Sequence, residues 1–219
     1  MKKIIIAILV IAIIAVGVYF LVFSKNNDVK ALEAEVEYFV ENTASRAEIA
    51  TKGDLSKVEI LLKSDYAKIE AVAKKYKDVA VEDILTAENY AKNSVDFAES
   101  KLNLETIKTD INKDIDELKK LVDETEINAK IEENKLSTEL AEKYREFLKK
   151  SKLDEVIAKL EAEKNVIEEK VNKAEETINH LVSNKDKWKI VENKFEAIGE
   201  DFKTGYEKLL NEFHSIGKK

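Results

Sequence analysis

The chain has 219 residues, of which 44% are hydrophobic and 37% charged, and it contains five glycines, no proline and no cysteine. β-Sandwiches and barrels need a turn roughly every 8–12 residues, and several turn types rely on glycine for a positive φ. The shortage of helix breakers therefore excludes most β-rich folds and favours long helices or a coiled coil. The lack of cysteine excludes disulfides and a lipid-modified N-terminal cysteine.

The formal net charge of −7 is unevenly distributed along the chain. Ile4–Phe23 is a run of 20 uncharged residues in which only Gly17 is not hydrophobic, and Lys2 and Lys3 precede it, so the rest of the chain carries −9. Such an acidic surface repels nucleic acid and anionic lipid headgroups. Since the sequence also lacks a basic run with interleaved aromatic residues, we expect no nucleic-acid partner.

The apolar run Ile4–Phe23 predicts a transmembrane helix, because 20 residues at about 1.5 Å each span the roughly 30 Å hydrocarbon core of a bilayer. Residues 1–3 form a basic tip, residues 24–27 form a short juxtamembrane link, and Ser24–Asp28 is close to neutral. The positive-inside rule then places the N-terminus in the cytoplasm and the C-terminal domain outside it. We predict a single-pass signal anchor in the cell membrane, with the lipid bilayer as a partner.

A cleaved secretory signal is the alternative interpretation of the same segment. It shares the basic start and the apolar stretch, and Val22-Phe23-Ser24 is an acceptable cleavage site. The protein would then be secreted after cleavage near Ser24. Because the apolar core of a signal peptide is only about 7–15 residues long, the length of this run favours a retained anchor.

Residues 28–219 are predicted to form a helical-bundle or coiled-coil domain. Its first two helices cover about 28–51 and 54–76, where apolar residues recur at helical spacing: Leu32, Val36, Phe39 and Val40, then Val58, Leu61, Leu62, Ile69, Val72 and Tyr76. Between the two helices Gly53 is expected to adopt the left-handed conformation. Asp54 or Ser56 would cap the second helix, and Glu59 would complete a capping box with Ser56.

The segment 79–150 contains no glycine, no proline and no firm stop signal, although Asp78 is a candidate cap before it. An apolar stripe runs through its middle, formed by Ile107, Ile111, Ile115, Leu118 and Val122. The pattern predicts one continuous helix about 105 Å long, with Asn112 exposed. Asp123–Ser137, rich in Glu, Asn and Thr, is the place where this helix could break and give a compact bundle instead.

Two further helices are predicted at about 153–182 and 186–216, each after a Ser-x-x-Asp capping box, Ser151–Asp154 and Ser183–Asp186. The first carries a heptad seam that only Lys164 interrupts: Leu153, Ile157, Leu160, Ile167, Val171, Ala174, Ile178 and Leu181. The second has an aromatic seam: Trp188, Val191, Phe195, Ile198, Phe202, Leu209, Phe213 and Ile216. Homo-oligomerisation through these seams is a further expectation.

The expected fold is therefore all-α and elongated. A helix cannot be stable alone with an apolar stripe exposed, so each half of the long helix should be covered by two of the others. This gives two three-helix bundles in tandem that share one long helix. The arrangement resembles spectrin-type repeats in architecture, without a motif of that family.

The sequence offers no recognisable catalytic, cofactor or metal site. A di-iron bundle needs Glu-x-x-His, but Thr177 and Asn211 stand three residues before His180 and His214, which we expect to face outward. The glycines form no phosphate-binding loop. A cluster of acidic residues is typical of a solvated helix face: Asp110, Asp114, Asp116 and Glu117. We predict that the protein is not an enzyme.

Three other residues are assigned to packing. Trp188 is expected in the core because it stands at helical spacing beside Val191. Gly199 and Gly205 are predicted to lie inside the last helix, where each costs about 1 kcal/mol relative to alanine. They would permit a close helix approach or a kink around Phe202.

The favoured function is a single-pass membrane-anchored helical scaffold or adaptor that projects a protein-interaction surface from the extracytoplasmic face. Its protein partner is not identifiable from the sequence. One alternative is an anchored or secreted receptor with a small-ligand pocket between helices, in which Lys164 is the polar side chain that we can place in an apolar seam. Another is a membrane-active helical toxin or lysis factor, which the acidic charge disfavours.

Overall fold

A computed structural model describes residues 27–94 and 96–218. This part of the chain is mostly helical, which confirms the all-α prediction at that level. The α-helices are α1 (Asn27–Asn42), α2 (Leu55–Asp78), α3 (Ala87–Asn93), α4 (Ala98–Lys119), α5 (Glu124–Glu133), α6 (Thr138–Lys150), α7 (Leu153–Ser183) and α8 (Glu200–Ser215). A 3-10 helix covers Val81–Leu85, and strands β1 (Trp188–Val191) and β2 (Lys194–Ala197) form a two-stranded sheet.

The predicted basic tip, the membrane segment Ile4–Phe23 and the first three residues of the link lie outside the described residues. Over the two described ranges, no helix combines the length and the apolar character needed to cross a bilayer.

The chain divides into two compact units whose sequences are interleaved. Unit 1 combines the described residues up to Lys74 with Asp116–Leu160, and unit 2 combines Lys75–Ile115 with the described residues from Glu161 onward. The prediction of two consecutive bundles is wrong here. Residues 116–150, expected to pair with the last two helices, belong instead to the unit that contains α1.

The prediction of one continuous helix over 79–150 is also wrong, since this stretch holds the 3-10 helix and α3 to α6. Its breaks need neither glycine nor proline. Short polar side chains cap the N-termini of α3, α5 and α6 by accepting backbone N–H bonds, at Thr86, Asp123 and Ser137. Phe97 and Lys135 adopt positive φ angles of 57° and 49°. The break expected within Asp123–Ser137 does occur, as the turn that separates α5 from α6.

The first predicted helix ends early, at Asn42 rather than near Thr51, and residues 43–54 form a loop. Gly53 in this loop has the expected left-handed conformation, with φ 59°. The predicted Ser56–Glu59 capping box does not form. The Ser56 hydroxyl donates to the Gly53 carbonyl at 2.6 Å, and Glu59 contacts the loop instead.

The heptad seam lies within α7, a helix of 31 residues, and most of its apolar members are buried. Neither predicted capping box marks a helix start. Ser151 is the C-cap of α6 and donates its hydroxyl to the Phe147 carbonyl at 2.7 Å, while Ser183 is the last residue of α7. Asp78, a candidate cap for the next helix, is the last residue of α2.

The predicted helix over 186–216 is wrong in its first half, which is the β1–β2 hairpin. The strands are antiparallel and pair Trp188 with Ala197 and Val191 with Lys194. Glu192 and Asn193 form the two-residue turn with φ 49° and 60°, the type I′ geometry that matches strand twist. Gly199, with φ 90°, is the N-cap of α8 and does not lie inside it.

Each unit has its own apolar core. In unit 1 it includes Leu32, Phe39, Val58, Leu62, Tyr66, Leu118, Ile127, Tyr144, Phe147 and Leu153. In unit 2 it includes Val81, Ile84, Tyr90, Phe97, Leu104, Val171, Ile178, Leu181, Trp188, Phe202, Tyr206 and Phe213.

Candidate functional site

The loop of residues 43–54 in unit 1, hereafter the clamped loop, is held by three buried ionisable side chains. Glu35 comes from α1, and Glu59 and Lys63 lie one turn apart on α2. Their exposed fractions are 1%, 0% and 8%. Buried charges are rare in proteins unless they are paired, so their partners explain why they are placed here.

Glu59 binds the C-terminal half of the clamped loop. Its carboxylate accepts the N–H groups of Ala50 and Thr51 at 2.9 and 2.8 Å, and the Thr51 hydroxyl at 2.7 Å. Burial by itself raises the pKa of this carboxyl. Hydrogen bonds from Ala50, Thr51 and Lys63 outweigh that effect and hold the pKa below its ordinary value, so that Glu59 is ionised at neutral pH.

Lys63 connects both carboxylates to the first half of the loop. Its ammonium lies 3.0 Å from Glu59 Oε1 and 3.5 Å from Glu35 Oε2. It also donates to the carbonyls of Arg46, at 2.9 Å, and Glu48. Glu35 Oε1 accepts the Arg46 N–H at 2.9 Å. The main chain of residues 46–51 is thus fixed by side chains rather than by secondary structure.

The clamped loop displays side chains of mixed character to solvent. Ile49 is 44% exposed, and Arg46 and Glu48 are exposed beside it. The Arg46 guanidinium lies 4.7 Å from the centre of the Tyr38 ring, which positions its charge. Loops that a rigid scaffold holds in place are common binding elements. The clamped loop is the candidate protein-interaction site of unit 1.

A second buried polar group in unit 1 is centred on Asp65, which is 1% exposed. Its carboxylate accepts from Lys130 Nζ on α5 and from the Tyr144 hydroxyl on α6, both at 2.7 Å. Burial raises the pKa of Tyr144, and the negative charge of Asp65 raises it further. The group therefore fastens α5 and α6 to α2, and its role is structural.

Unit 2 contains a cluster of aromatic rings beneath the hairpin. Tyr90 contacts Phe97, Trp188, Phe195 and Tyr206, with ring centroids 5.6 to 6.5 Å apart. Trp188 is buried, as expected, and its indole N–H donates to the Leu181 carbonyl at 2.9 Å. These contacts form part of the apolar core of unit 2.

His180 differs from its prediction, because it is half-buried rather than outward-facing. Its ring stacks on Phe202 with centroids 5.1 Å apart and planes within 2°. A Cβ added at Gly205 would lie 3.3 Å from the His180 ring, so this glycine permits the close helix approach that was expected. His214 is exposed, as predicted.

The predicted acidic face of α4 is only partly solvated. Asp110 and Asp114 lie 3.3 and 2.8 Å from the Lys75 ammonium, whereas Asp116 and Glu117 are exposed. No group of three or more potential metal ligands occurs in the described ranges. The prediction that the chain has no catalytic, cofactor or metal residues stays a prediction.

The described residues of unit 2 line shallow surface depressions. One lies along the outer face of α8, and another, of about 360 Å³, is lined by Ala91, Ser94, Lys185, Trp188, Lys189 and Ile190. Lys164, the polar residue of the receptor alternative, lines neither and pairs with Glu168 at 2.5 Å.

The role of the residues that hold the clamped loop was not predicted from the sequence. One signal was present, since Glu59 and Lys63 are four residues apart and stand next to the buried residues Val58 and Leu62. A charged pair on the edge of an apolar stripe can be either buried or solvated, so the signal alone is ambiguous. Among protein-family models, curated proteins and solved structures, none matches this chain.

Proposed function

We propose that the protein is a single-pass membrane-anchored helical scaffold whose extracytoplasmic domain binds another protein through the clamped loop. The anchor and its orientation rest on the apolar run Ile4–Phe23 and the two lysines before it. The binding role rests on one observation: three buried ionisable side chains hold an irregular loop that exposes Ile49.

The energetic argument starts from the cost of this arrangement. Burying an ion costs several kcal/mol, and a buried ion pair is often no more stabilising than apolar residues of the same volume. Stability alone is therefore a weak reason for placing Glu35, Glu59 and Lys63 here. What they achieve is a single backbone conformation for residues 46–51.

A loop that is already ordered has an advantage in binding. Ordering the backbone of one residue costs roughly 1–2 kcal/mol, and a flexible loop would incur that cost when the complex forms. The clamped loop avoids it. Ile49 then supplies an apolar anchor, while Arg46 and Glu48 supply charges of both signs at its rim, the usual arrangement of an interface. The expected partner surface is an apolar pocket with a polar border.

Site-specific photocrosslinking on native membranes tests the binding role. A crosslinking side chain at Ile49 should yield one defined adduct, and the same group at Ala67, an exposed position on α2, should not. Lys63→Met releases the loop and should abolish the Ile49 adduct, whereas Lys57→Met at an exposed ion pair should leave it unchanged. Equal adducts at Ile49 and Ala67, or an adduct that survives Lys63→Met, would contradict the proposal.

The anchor is tested separately by topology. With a C-terminal tag, protease added from the extracytoplasmic side should remove the tag while residues 1–23 stay with the membrane. Protection of the tag contradicts the orientation. A mature protein that begins near Lys25 would support the secreted alternative.

A further inference from the structure

The β1–β2 hairpin has an unpaired outer edge on β1. In an antiparallel pair, hydrogen-bonded residue pairs alternate with pairs that exchange no backbone bonds. The two-residue turn makes Val191 and Lys194 a hydrogen-bonded pair. The bond from the Ile198 N–H to the Lys187 carbonyl at 2.7 Å, four residues before Val191 in the chain, agrees with this alternation. The N–H and C=O groups of Trp188 and Ile190 therefore point away from β2.

These outward groups, hereafter the β1 edge, are available for pairing. No backbone hydrogen bond from any described residue reaches Trp188 or Ile190 from outside the hairpin. The depression of about 360 Å³ runs beside them, and its lining includes residues of β1 but none of β2. Ala91 and Ser94, at the C-terminal end of α3, line it as well. Among the described residues, the β1 edge thus faces a groove whose other side is the C-terminal end of α3.

The charges at the groove indicate what can enter it. Its lining contains Lys185 and Lys189 and, within the described ranges, no carboxylate. Both lysines are exposed, although the chain as a whole is acidic. Lysine on an edge strand opposes pairing with a second copy of the same edge, because like charges would be brought together. The same lysines attract a segment that carries carboxylates, although Lys189 is already paired with Glu196 across the hairpin at 3.1 Å.

We propose that the β1 edge binds an acidic, extended peptide segment of another protein by adding it as a third strand. The backbone of the added strand would pair with the N–H and C=O groups of Trp188 and Ile190. Its carboxylates would lie near Lys185 and Lys189. In strand addition, main-chain hydrogen bonds supply affinity and alternate side chains supply specificity. This site lies in unit 2, so the inference does not depend on the clamped loop of unit 1.

The test uses the full chain in nanodiscs of neutral lipid and a blocked peptide with the sequence Thr-Glu-Val-Glu-Val-Glu-Thr. Amide hydrogen exchange should slow by about tenfold at Trp188 and Ile190 when the peptide saturates the site. Exchange at Phe195 and Ala197, which face outward on the opposite edge, should not change. The peptide in which lysine replaces each glutamate should give no protection at either edge.

Two variants separate edge charge from hairpin stability. Lys189→Glu should weaken peptide binding by about tenfold, but it also breaks the pair of Lys189 with Glu196, whose atoms lie 3.1 Å apart. The double variant Lys189→Glu/Glu196→Lys restores that pair with its charges exchanged. If the charge at position 189 determines peptide binding, the acidic peptide should still bind weakly to the double variant. Recovery of binding would show that the single variant acted through the hairpin and would overturn the charge argument.

Other outcomes also overturn the proposal. Protection at Phe195 and Ala197 would place the peptide on the wrong edge. Equal binding of the acidic and basic peptides would remove the specificity. No protection at about 1 mM peptide would show that the lysines at most limit self-pairing, and a dimer that protects Trp188 without peptide would show that the edge binds a second copy of the chain instead.

Discussion

The ammonium of Lys63 lies 3.0 Å from a carboxylate oxygen of Glu59, and both side chains are buried. Removing the lysine leaves two carboxylates, those of Glu59 and Glu35, without their cation. Lys63→Met should therefore lower the free energy of unfolding by about 3–5 kcal/mol, the range for breaking a buried pair on one side. Urea denaturation gives this value.

The matched control is Lys57→Met, which removes an exposed ion pair with Asp54 at 3.1 Å on the same helix. It should change the free energy of unfolding by less than about 1 kcal/mol. Amide exchange at Ala50 and Thr51 should accelerate in the Lys63 variant alone. Similar small effects of both variants would mean that the clamp contributes nothing to order.

Alkaline pH should destabilise the protein through its buried tyrosines. Burial raises the pKa of each of them above the ordinary value near 10: Tyr66, Tyr76, Tyr90, Tyr144 and Tyr206. Below pH 10 both states are protonated and this stability is fully present. Above it the unfolded chain releases protons first, so the free energy of unfolding should fall by up to about 1.4 kcal/mol per pH unit for each tyrosine.

Urea titrations from pH 8 to about 11.5, with tyrosinate absorbance, measure this loss. Tyr144→Phe should reduce the decrease in the free energy of unfolding with pH by the contribution of one tyrosine. The variant also removes the hydrogen bond to Asp65 at neutral pH. A free energy of unfolding that stays constant across this range would contradict the assignment of these tyrosines to the core.

The hairpin turn should be improvable by sequence. Glu192 and Asn193 both have positive φ, which is costly for a side chain such as glutamate and free of that cost for glycine. The double substitution Glu192→Asn/Asn193→Gly should stabilise the protein by about 1 kcal/mol. Asn193→Val, which places a β-branched residue at φ 60°, should do the reverse. Thermal unfolding tests both variants: the melting temperature should rise in the double variant and fall in Asn193→Val.

Gly205 and His180 should be energetically coupled. In an unobstructed helix, glycine to alanine gains about 1 kcal/mol. A Cβ at Gly205 would meet the His180 ring at 3.3 Å, and that ring is stacked on Phe202, so Gly205→Ala should gain nothing. In a His180→Ala background the same change should recover its gain. A double-mutant cycle from urea denaturation measures the coupling, and additive effects would contradict it.

Helical periodicity predicted α2 and α7 well because each buries one continuous stripe. It failed over 79–150, where Thr86, Asp123 and Ser137 begin new helices by capping their N-termini and Phe97 turns the chain without glycine. Serine and threonine also stand inside helices of this chain, for example Ser64 in α2 and Thr106 in α4, so their positions alone do not reveal a break. After each break, the next helix buries an apolar stripe of its own. In the sequence these successive stripes resemble the single stripe of one long helix.

The hairpin was not predicted because three of its apolar residues have the spacing of a helix. Trp188, Val191 and Phe195 stand three and four residues apart, which is helical, yet Val191 is exposed in the structure. The alternation of Trp188 with Ile190 was the strand signal, and it is only two residues long. The clamped loop could not be predicted either, since exposed and buried glutamates have the same local sequence pattern. Their burial depends on tertiary contacts with residues such as Lys63.

The interleaving of the two units imposes an order on biosynthesis. Asp65 is synthesised 65 residues before Lys130 and 79 residues before Tyr144, its two hydrogen-bond partners in unit 1. The ribosome therefore synthesises the first segment of unit 1, then the whole of Lys75–Ile115, which belongs to unit 2, and only then the second segment of unit 1. A nascent chain released before residue 116 would carry the Asp65 carboxylate without either partner. Such a truncated product is a natural substrate for proteolytic quality control. Because unit 1 consists of two separate segments, no single continuous gene fragment encodes unit 1 without part of unit 2.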